Sequence, residues 1–355
     1  MQGTAEALVV AVGGGKGGVG KSVVAANLAV ALARHGARVI AMDADLGSAN
    51  LHTLFGIDHP RASLQALIDG RSERLDELAI ESGVSGLRLI AGSVALPGAA
   101  NLQHARKQKL LRHMARLNAD VVVIDCGAGV HYNVVDFFAA ADLQLLVSSA
   151  QLISLQNAYG FLKASLYRTL RQRANEAGRA ELLEPTGERS EVETMQKLLE
   201  RVSSVDAALA EALRGLLQQA RVSLLGNQLT DPRELNALHS LSRMIGDFLN
   251  VRVPVLGGLC RRDKIHTAVS RRRPFLVEGG SDPESQLLLT LAASLLEQRS
   301  FSPLTSEPLQ PTAAASSKYQ RQRAYARSSP SWPAVHPDEP DSEVSPGVRR
   351  GDLDA

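Results

Sequence analysis

Residues 13–32 read GGGKGGVGKSVVAANLAVAL, and this stretch decides the fold. Residues 15–22 fill every fixed position of the pattern G-x-x-x-x-G-K-[ST], whose glycines let successive backbone N–H groups face a polyphosphate. The apolar run at residues 7–12 predicts a strand before the loop. Residues 22–36 predict a helix after it, which ends at Gly36 and turns its positive end toward the same anion. The order of strand, loop and helix therefore predicts a phosphate-binding loop on an α/β sheet.

The loop carries two lysines, Lys16 and Lys21, although one lysine is enough to reach the β- and γ-phosphates of a nucleotide. We assign that reach to Lys21 and expect the hydroxyl of Ser22 to ligate Mg²⁺. The chemistry of a single site gives Lys16 no task. We expect the whole loop to contact the nucleotide, that is Gly15, Lys16, Gly17, Gly18, Val19, Gly20, Lys21, Ser22 and Val23.

Two other apolar runs end in aspartate. Residues 42–52, MDADLGSANLH, place Asp43 and Asp45 after one predicted strand, and residues 121–129, VVVIDCGAG, place Asp125 after another. The carboxyl ends of the strands line the ligand crevice of an open α/β sheet. Asp125 then matches the aspartate that holds Mg²⁺ directly or through water. We therefore expect a nucleoside triphosphate and Mg²⁺ as the ligands of this crevice, and the resemblance described below implies ATP.

The remaining strands follow from apolar runs that are continuous rather than alternating, which is typical of strands buried on both faces of a parallel sheet. Helical patterns separate them, so we predict a doubly wound, mostly parallel α/β sheet flanked by helices, in one domain at residues 1–300. The predicted strands are residues 7–12, 37–45, 86–92, 119–127, 142–150 and 221–228.

Two segments depart from this alternation. At about residues 168–220 the sequence is polar with apolar spacings of three and four, which predicts a helical insertion. Its apolar stripe fits either a surface helical hairpin or an arm that docks a partner. Residues 301–355 are rich in Ser, Pro and Ala and predict a disordered tail. A small basic cluster in the tail fits a solvated segment, or a contact with nucleic acid or an anionic membrane.

The bulk composition excludes several classes of protein. Lys+Arg number 39 against 37 Asp+Glu, so the net charge of +2 gives no global attraction to nucleic acid or membrane. The two cysteines, Cys126 and Cys260, form no CxxC motif and suit a reducing cytoplasm. We expect no secretory leader and no transmembrane helix, and therefore a cytoplasmic protein.

The second lysine is where the sequence resembles a known family. GKGGVGKS, with Lys16 beside the first glycine, is the deviant form of the phosphate-loop motif, and the chain resembles the MinD/ParA class of dimerising ATPases over roughly residues 7–300. Within that class it is most similar to the FlhG/FleN (MinD-like) site-selection branch. The similar blocks are GGGKGGVGKS, DADLGSANLH, VVVIDCGAG, SLQNAYGFLK and VPVLGGLCRRDKIHTAVSRRRPFLV.

The resemblance implies a two-chain active site. Two copies would enclose two ATP molecules, with Lys16 reaching the phosphates of the partner and Lys21 acting in its own chain. The resemblance makes Asp45 the residue that orients the attacking water, so Lys16, Lys21 and Asp45 form the expected catalytic set. Mg²⁺ is expected at Ser22, Asp45 and Asp125, partly through water.

Three further binding residues are implied in the same way. Asn50 matches a residue at the dimer and nucleotide interface, Asn227 matches an asparagine that pairs with adenine, and Asp263 remains from the purine-side block. The implied function is an ATP-dependent dimeric switch with slow hydrolysis. Such a switch controls the placement or number of a flagellum or a division site, and it works with a partner protein.

The chain also departs from that branch. Gln151 and Asn157 stand where acidic residues are usual, and Arg261 replaces a proline on the purine side. The ends of the chain carry neither the D-Q-A-x-x-L-R element nor an amphipathic membrane helix, so peripheral association with the inner membrane has no support in the sequence. The final aliphatic run, residues 285–298, is expected in the core.

Four alternatives differ in how well the sequence supports them, and the first is the main one. A ParA-type partition ATPase would bind DNA through a basic cluster. We expect no iron–sulfur cluster, because paired cysteines are absent, and a tyrosine kinase would need a C-terminal tyrosine cluster. A scaffold that binds ATP without hydrolysing it would not need Asp45. The basic cluster comprises Arg261, Arg262, Lys264, Arg271, Arg272 and Arg273.

Overall fold

The computed structural model describes residues 6–92, 104–114, 116–184 and 193–300, without the side chains of residues 104–106, 108, 109, 299 and 300. All of these residues belong to the first of two units, Met1–Ala315. The tail predicted at residues 301–355 lies outside the described residues, so the domain boundary at residue 300 stays a prediction.

The described strands form one sheet of eight, in the order β3-β4-β2-β5-β1-β6-β7-β8. Neighbouring strands pair in parallel, except that β3 is antiparallel to β4. The sheet therefore has the doubly wound, mostly parallel form that the sequence predicts. The strands are β1 (Leu8–Gly13), β2 (Val39–Asp43), β3 (Ile80–Glu81), β4 (Leu87–Ile90), β5 (Val121–Asp125), β6 (Leu143–Ser148), β7 (Val222–Leu229) and β8 (Val255–Cys260).

Helices connect the strands and flank the sheet. Short 3-10 turns supplement them, of which Leu51–Phe55 follows β2 closely. The helices are α1 (Lys21–Arg34), α2 (Leu64–Ile68), α3 (His104–Met114), α4 (Tyr132–Ala139), α5 (Leu152–Glu176), α6 (Met195–Ser203), α7 (Ala207–Gln218), α8 (Leu235–Leu249), α9 (Asp263–Ser270) and α10 (Pro283–Ser300).

The central elements are buried on all sides. Every residue of β2 and β5 is buried, which explains why their apolar runs are continuous. Helix α1 is buried over nearly its whole length because it lies between the sheet and α10. Its many alanines allow this close packing. The helix ends as predicted, with Gly36 in the left-handed region at φ 85°.

The six predicted strands are all present, and the sequence missed two at the sheet edges. Strand β3 has only two residues, too few to leave a pattern. Strand β8 contains Gly257 and Gly258, a residue type that is depleted in strands. A Cβ at Gly258 would come within 2.3 Å of the Leu229 side chain, so glycine is needed for β8 to lie against β7. The sequence of β8 therefore reflects its close packing against β7, and hydrophobic periodicity does not reveal such packing.

The predicted helical insertion consists of the end of α5, then α6 and α7. Helix α5 begins at Leu152, well before the predicted start, and is 25 residues long. The apolar stripe of α6 and α7 is buried, apart from the exposed Val205 in the turn and a half-buried Leu216. This burial agrees with a helical hairpin packed on the domain. The last helix, α10, buries Leu288, Leu291 and Leu295, as expected for a core element. None of the helices in the described ranges has the length and apolarity needed to cross a membrane.

Candidate functional site

The carboxyl ends of β1, β2 and β5 meet at one edge of the sheet. The strand register pairs Val12 with Asp125 and Asp43 with Asp125. The predicted phosphate loop follows β1 directly, so it begins beside both carboxylates. Parallel pairing of the three strands therefore brings together groups that lie far apart in the sequence.

The phosphate loop is seated on β6 and α5 through glycines that leave no room for a side chain. A Cβ at Gly14 would lie 2.6 Å from the carbonyl oxygen of Val147, and one at Gly15 would lie 2.0 Å from that of Asn157. Farther along, Gly18 and Gly20 have φ values of 82° and 83°, which favour glycine. The first glycines thus allow the loop to pack closely against β6 and α5, and the later ones allow its backbone to curl.

The two lysines of the loop have different surroundings. Lys21 is buried, and its ammonium group donates a hydrogen bond to the carbonyl oxygen of Lys16 at 3.1 Å. Burial lowers the pKa of Lys21, while the negative charges of Asp125 and Asp45 oppose that shift. The side chain of Lys16 is exposed. One lysine therefore lies inside the loop, and the other projects from its surface.

Two buried carboxylates stand behind the loop. Asp43 accepts hydrogen bonds from the backbone N–H groups of Asp45 at 3.0 Å and Leu51 at 2.9 Å. Asp125 accepts a hydrogen bond from the Ser22 hydroxyl, but its buried Oδ1 atom has no hydrogen-bond partner. Burial raises the pKa of both carboxyl groups, and the charge of Asp43 raises that of Asp125 further.

These groups fit a magnesium ion. The unpartnered Oδ1 atom of Asp125 and the Ser22 hydroxyl are hard oxygen ligands, the kind that Mg²⁺ prefers. A cation there would also compensate the two buried negative charges. Ser22 and Asp125 would hold the ion, which neutralises phosphate charge when bound. Asp45, the third predicted ligand, instead accepts the N–H groups of Gly47 at 3.0 Å and Ser48 at 2.8 Å.

The segments after β2 and β5 face each other across an open cavity of about 680 Å³. A Cβ at Gly127 would lie 3.1 Å from the carboxyl carbon of Asp45, so the two segments touch near the carboxylates. Beyond that contact the cavity is lined by Asp45 and Ser48 on one side and by Val130, Tyr132 and neighbouring residues on the other. Asp45 therefore lines this cavity, and its charge acts on Lys21 of the loop.

The three further predicted binding residues are dispersed. Asn227 is buried at the end of β7 and donates from Nδ2 to the carbonyl oxygen of Val19 at 2.8 Å. Asn50 is exposed just before the 3-10 turn, and Asp263 is the exposed first residue of α9. Only Asn227 among these contacts the loop in the described structure. The roles of all three toward adenine or a partner chain stay predictions.

Sequence reasoning missed Gln228, which also binds the loop. Its Nε2 atom donates to the carbonyl oxygen of Gly18 at 2.8 Å, across 210 positions of sequence. The only sequence signal is a second amide beside Asn227 at the end of a predicted strand.

An exposed apolar surface, which the sequence also did not reveal, borders the loop. Val130 is 55% exposed, Tyr132 72%, Leu152 70% and Ile153 59%. We call these four residues the apolar rim. Two of them follow Asp125 along the chain and two begin α5, whose Asn157 contacts Gly15. The rim therefore lies at the same edge of the sheet as the loop.

The basic cluster near α9 is largely neutralised by acidic partners. Arg272 pairs with Asp58 at 2.7 Å, and Arg262 pairs with Glu284 at 2.9 Å. Lys264 pairs with Asp282, while Arg271 and Arg273 both approach Glu278 within 4 Å. Five of the six basic residues thus have a carboxylate neighbour, which weakens the case for a phosphate-binding surface there.

The chain is similar to known nucleotide-binding proteins. Residues 10–275 match the family described as the CobQ/CobB/MinD/ParA nucleotide binding domain. Antiactivator FleN of Pseudomonas aeruginosa is 40% identical over 158 residues, which cover 44% of this chain and 55% of FleN. Flagellum site-determining protein YlxH of Helicobacter pylori is 33% identical over 165 residues, 43% of this chain and 52% of YlxH. The chain thus spans about half the length of the curated relatives it matches.

Solved structures share the fold at lower identity. The septum site-determining protein MinD of Pyrococcus horikoshii, complexed with Mg-ADP, has a TM-score of 0.56 and 17% identity, covering 83% of this chain and 100% of that one. A chain of the MinC:MinD cell division protein complex of Aquifex aeolicus has a TM-score of 0.53 and 19% identity, covering 85% of this chain and 100% of that one. These matches confirm the predicted fold class.

Proposed function

The chain belongs to the CobQ/CobB/MinD/ParA family of nucleotide-binding proteins, and on that premise we propose that it is an ATP-dependent dimerising switch with slow ATP hydrolysis. Its relatives include FleN and YlxH, a named antiactivator and a named flagellum site-determining protein. From this similarity we infer that the switch controls the placement or number of a flagellum, or of a division site. We also infer that it acts on a partner protein. Residues 1–300 form the ATPase domain of this proposal, and residues 301–355 form its tail.

The observation that carries the proposal is the unequal placement of the two loop lysines. Lys21 is buried and already directed at the loop carbonyls, so it can meet the phosphates of its own nucleotide. Lys16 is exposed on the outer side, where it has no task within one chain. A second copy placed face to face would receive Lys16 at its phosphates. Positive charge would then reach the transferring phosphoryl group only in the dimer.

The chemistry of hydrolysis follows from groups of this chain. Lys21 and the loop N–H groups bind the phosphates, and Ser22 and Asp125 hold Mg²⁺. Asp45 orients the attacking water, since its Oδ2 is not used by the turn that Oδ1 makes with Gly47 and Ser48. A water-excluding partner chain strengthens each of these electrostatic contacts.

The apolar rim supports a face-to-face dimer. Four large apolar side chains are exposed at the same edge of the sheet as the loop, and exposed apolar surface of this kind is typical of an interaction site. Burying them against a second copy would release water from both surfaces and favour association. The rim borders the loop, so a copy docked on the rim would also meet Lys16.

Light scattering coupled to size exclusion tests the proposal directly. Wild-type protein should elute as a monomer with ADP and as a dimer with ATP. Lys16→Ala should stay monomeric with ATP, and its hydrolysis rate should fall by about a hundredfold or more, while ADP binding persists. Lys197→Ala, which removes an exposed lysine from α6, is the matched control and should behave as wild type. A Lys16→Ala dimer in ATP would exclude the role in the partner site.

DNA binding of the ParA type is not part of this proposal, because acidic partners neutralise most of the basic cluster near α9. A DNA-binding ATP dimer would be retained on plain duplex with a steep dependence on salt. We expect no such retention at 150 mM salt, which is about physiological ionic strength.

A further inference from the structure

Strand β7 ends in two consecutive amides that hold the phosphate loop from outside. Asn227 donates to the carbonyl oxygen of Val19 and Gln228 to that of Gly18, both at 2.8 Å. The two acceptors are consecutive peptide units of the loop. The contact is also close, since a Cβ at Gly20 would lie 2.2 Å from Nδ2 of Asn227. We call this pair of hydrogen bonds the amide clamp.

The amide clamp fixes the direction of two N–H groups. In a planar trans peptide the C=O and N–H bonds of one unit point in opposite directions. Holding the carbonyls of Gly18 and Val19 toward β7 therefore turns the N–H groups of Val19 and Gly20 away from β7. Those N–H groups belong to the part of the loop that must face a polyphosphate. Without the clamp, the flanking glycines leave the peptide units free to rotate.

The backbone of Gln228 is distorted at the point where its side chain reaches the loop. Its φ of 58° lies in the left-handed region, which is sterically unfavourable for a non-glycine residue. The pairing of β7 with β8 also loses its register between Gly226 and Leu229. Glycine would be the favoured residue here if the backbone shape alone mattered. A glutamine held in this conformation indicates that the side chain has a task.

We propose that Gln228 is a positioning residue for nucleotide binding: its amide holds the Gly18 carbonyl so that the loop N–H groups are set for the phosphates before the nucleotide arrives. The inference rests on the proposed function in taking a nucleotide as the ligand of the loop. It does not depend on dimerisation or hydrolysis.

Four variants separate the amide from the backbone. Gln228→Met keeps the side-chain length and loses the donor, whereas Gln228→Lys keeps a donor. Gln228→Gly relieves the strained φ but also loses the donor. The matched control is Gln144→Met. Gln144 in β6 is half-buried, and its Nε2 donates to the Phe138 carbonyl at 3.0 Å rather than to a carbonyl of the loop.

Two measurements are made on each protein: the Kd for Mg-ADP by calorimetry, and the free energy of unfolding in urea without nucleotide. We expect Gln228→Met and Gln228→Gly to raise the Kd about five- to tenfold. Gln228→Lys should stay within about twofold of wild type. Gln228→Gly should unfold no more easily than wild type, since it relieves strain. Gln144→Met should lower stability and leave the Kd unchanged.

If Gln228 had only a structural role, the affinity for Mg-ADP would fall in the same variants in which the free energy of unfolding falls. Wild-type affinity in Gln228→Met or Gln228→Gly would overturn the inference, as would a failure of Gln228→Lys to restore binding. If wild-type protein does not bind Mg-ADP, the proposed function itself fails. The two failures are therefore distinguishable.

Discussion

The carboxyl group of Asp125 is unfavourable in its buried position when it is ionised, unless a cation compensates its charge. Its carboxyl group is buried beside that of Asp43, and one oxygen atom has no hydrogen-bond partner. Burial first, and then the charge of Asp43, raise its pKa above the ordinary value of about 4. A site that must attract Mg²⁺ gains from such an arrangement, because the cation relieves the repulsion. The protein without ligands carries that repulsion as a loss of stability.

The sign of the resulting pH dependence follows from proton linkage. Above pH of about 4 the native Asp125 holds more protons than the unfolded chain does, so stability falls as pH rises. Asp125→Asn removes this group from the balance. We expect the variant, without nucleotide or Mg²⁺, to exceed wild type in free energy of unfolding by at least about 1 kcal/mol at pH 8, with a smaller difference at pH 5.

Urea unfolding at both pH values measures that difference. The exposed Asp247→Asn on α8 is the control, and it should change stability by less than about 0.5 kcal/mol at either pH. An Asp125→Asn protein that is less stable than wild type at pH 8 would contradict the prediction, and so would a gain that does not change with pH.

Among the secondary-structure elements, α4 links the site to the rest of the domain. Its start carries the exposed Tyr132 of the apolar rim, whereas its Asp136 is held by a buried ionic network. Asp136 pairs with the buried Lys107 of α3 and accepts a hydrogen bond from Nε of Arg168 in α5 at 2.9 Å. The guanidinium group of Arg168 lies 4.9 Å from the centre of the Tyr132 ring. The network therefore fixes α4 behind a segment that lines the site.

Asp136→Asn should show the strength of this anchor. The substitution leaves Lys107, whose side chain is 5% exposed, without its counter-charge, and breaking such a buried pair costs about 3 kcal/mol. Asp76→Asn breaks the exposed pair with Arg74 and should cost less than about 1 kcal/mol. Both are measured by urea unfolding. Equal losses for the two variants would mean that the network does not anchor α4.

The elements themselves were largely predictable, and the contacts between them were not. Strands such as β5 are buried on both faces, so their apolar runs identify them. The phosphate loop has a motif because its chemistry fixes residue types at fixed spacing. Gln228 has no such signal, because its contact with Gly18 spans 210 positions and depends on how β7 packs beside the loop. The apolar rim was missed for a related reason, since exposure is a property of the folded surface.

At the scale of the whole molecule, the candidate site is open to solvent. The sheet edge presents an exposed lysine and the open cavity beside Asp45, with four large apolar side chains around them. Water in such a site weakens every charge that acts on a phosphate. A second copy of the chain would bring its own Lys16 and would bury both apolar rims, so association and catalysis would be coupled through one surface.

Ile153→Glu tests this coupling at the apolar rim. The substitution places a charge where the proposed dimer excludes water, so we expect ATP-dependent dimerisation to weaken at least tenfold. Hydrolysis should fall in parallel, because each site would lack the partner's Lys16. Affinity for ADP in the monomer should not change, since the side chain of Ile153 is directed mostly to solvent, with 59% of its surface exposed. Val205→Glu is the control, because Val205 is 65% exposed in the turn between α6 and α7.

Light scattering with ATP, together with phosphate release, compares the two variants. If Ile153→Glu dimerises as wild type does while Val205→Glu does not, the interface lies on the helical hairpin and Lys16 must act within its own chain.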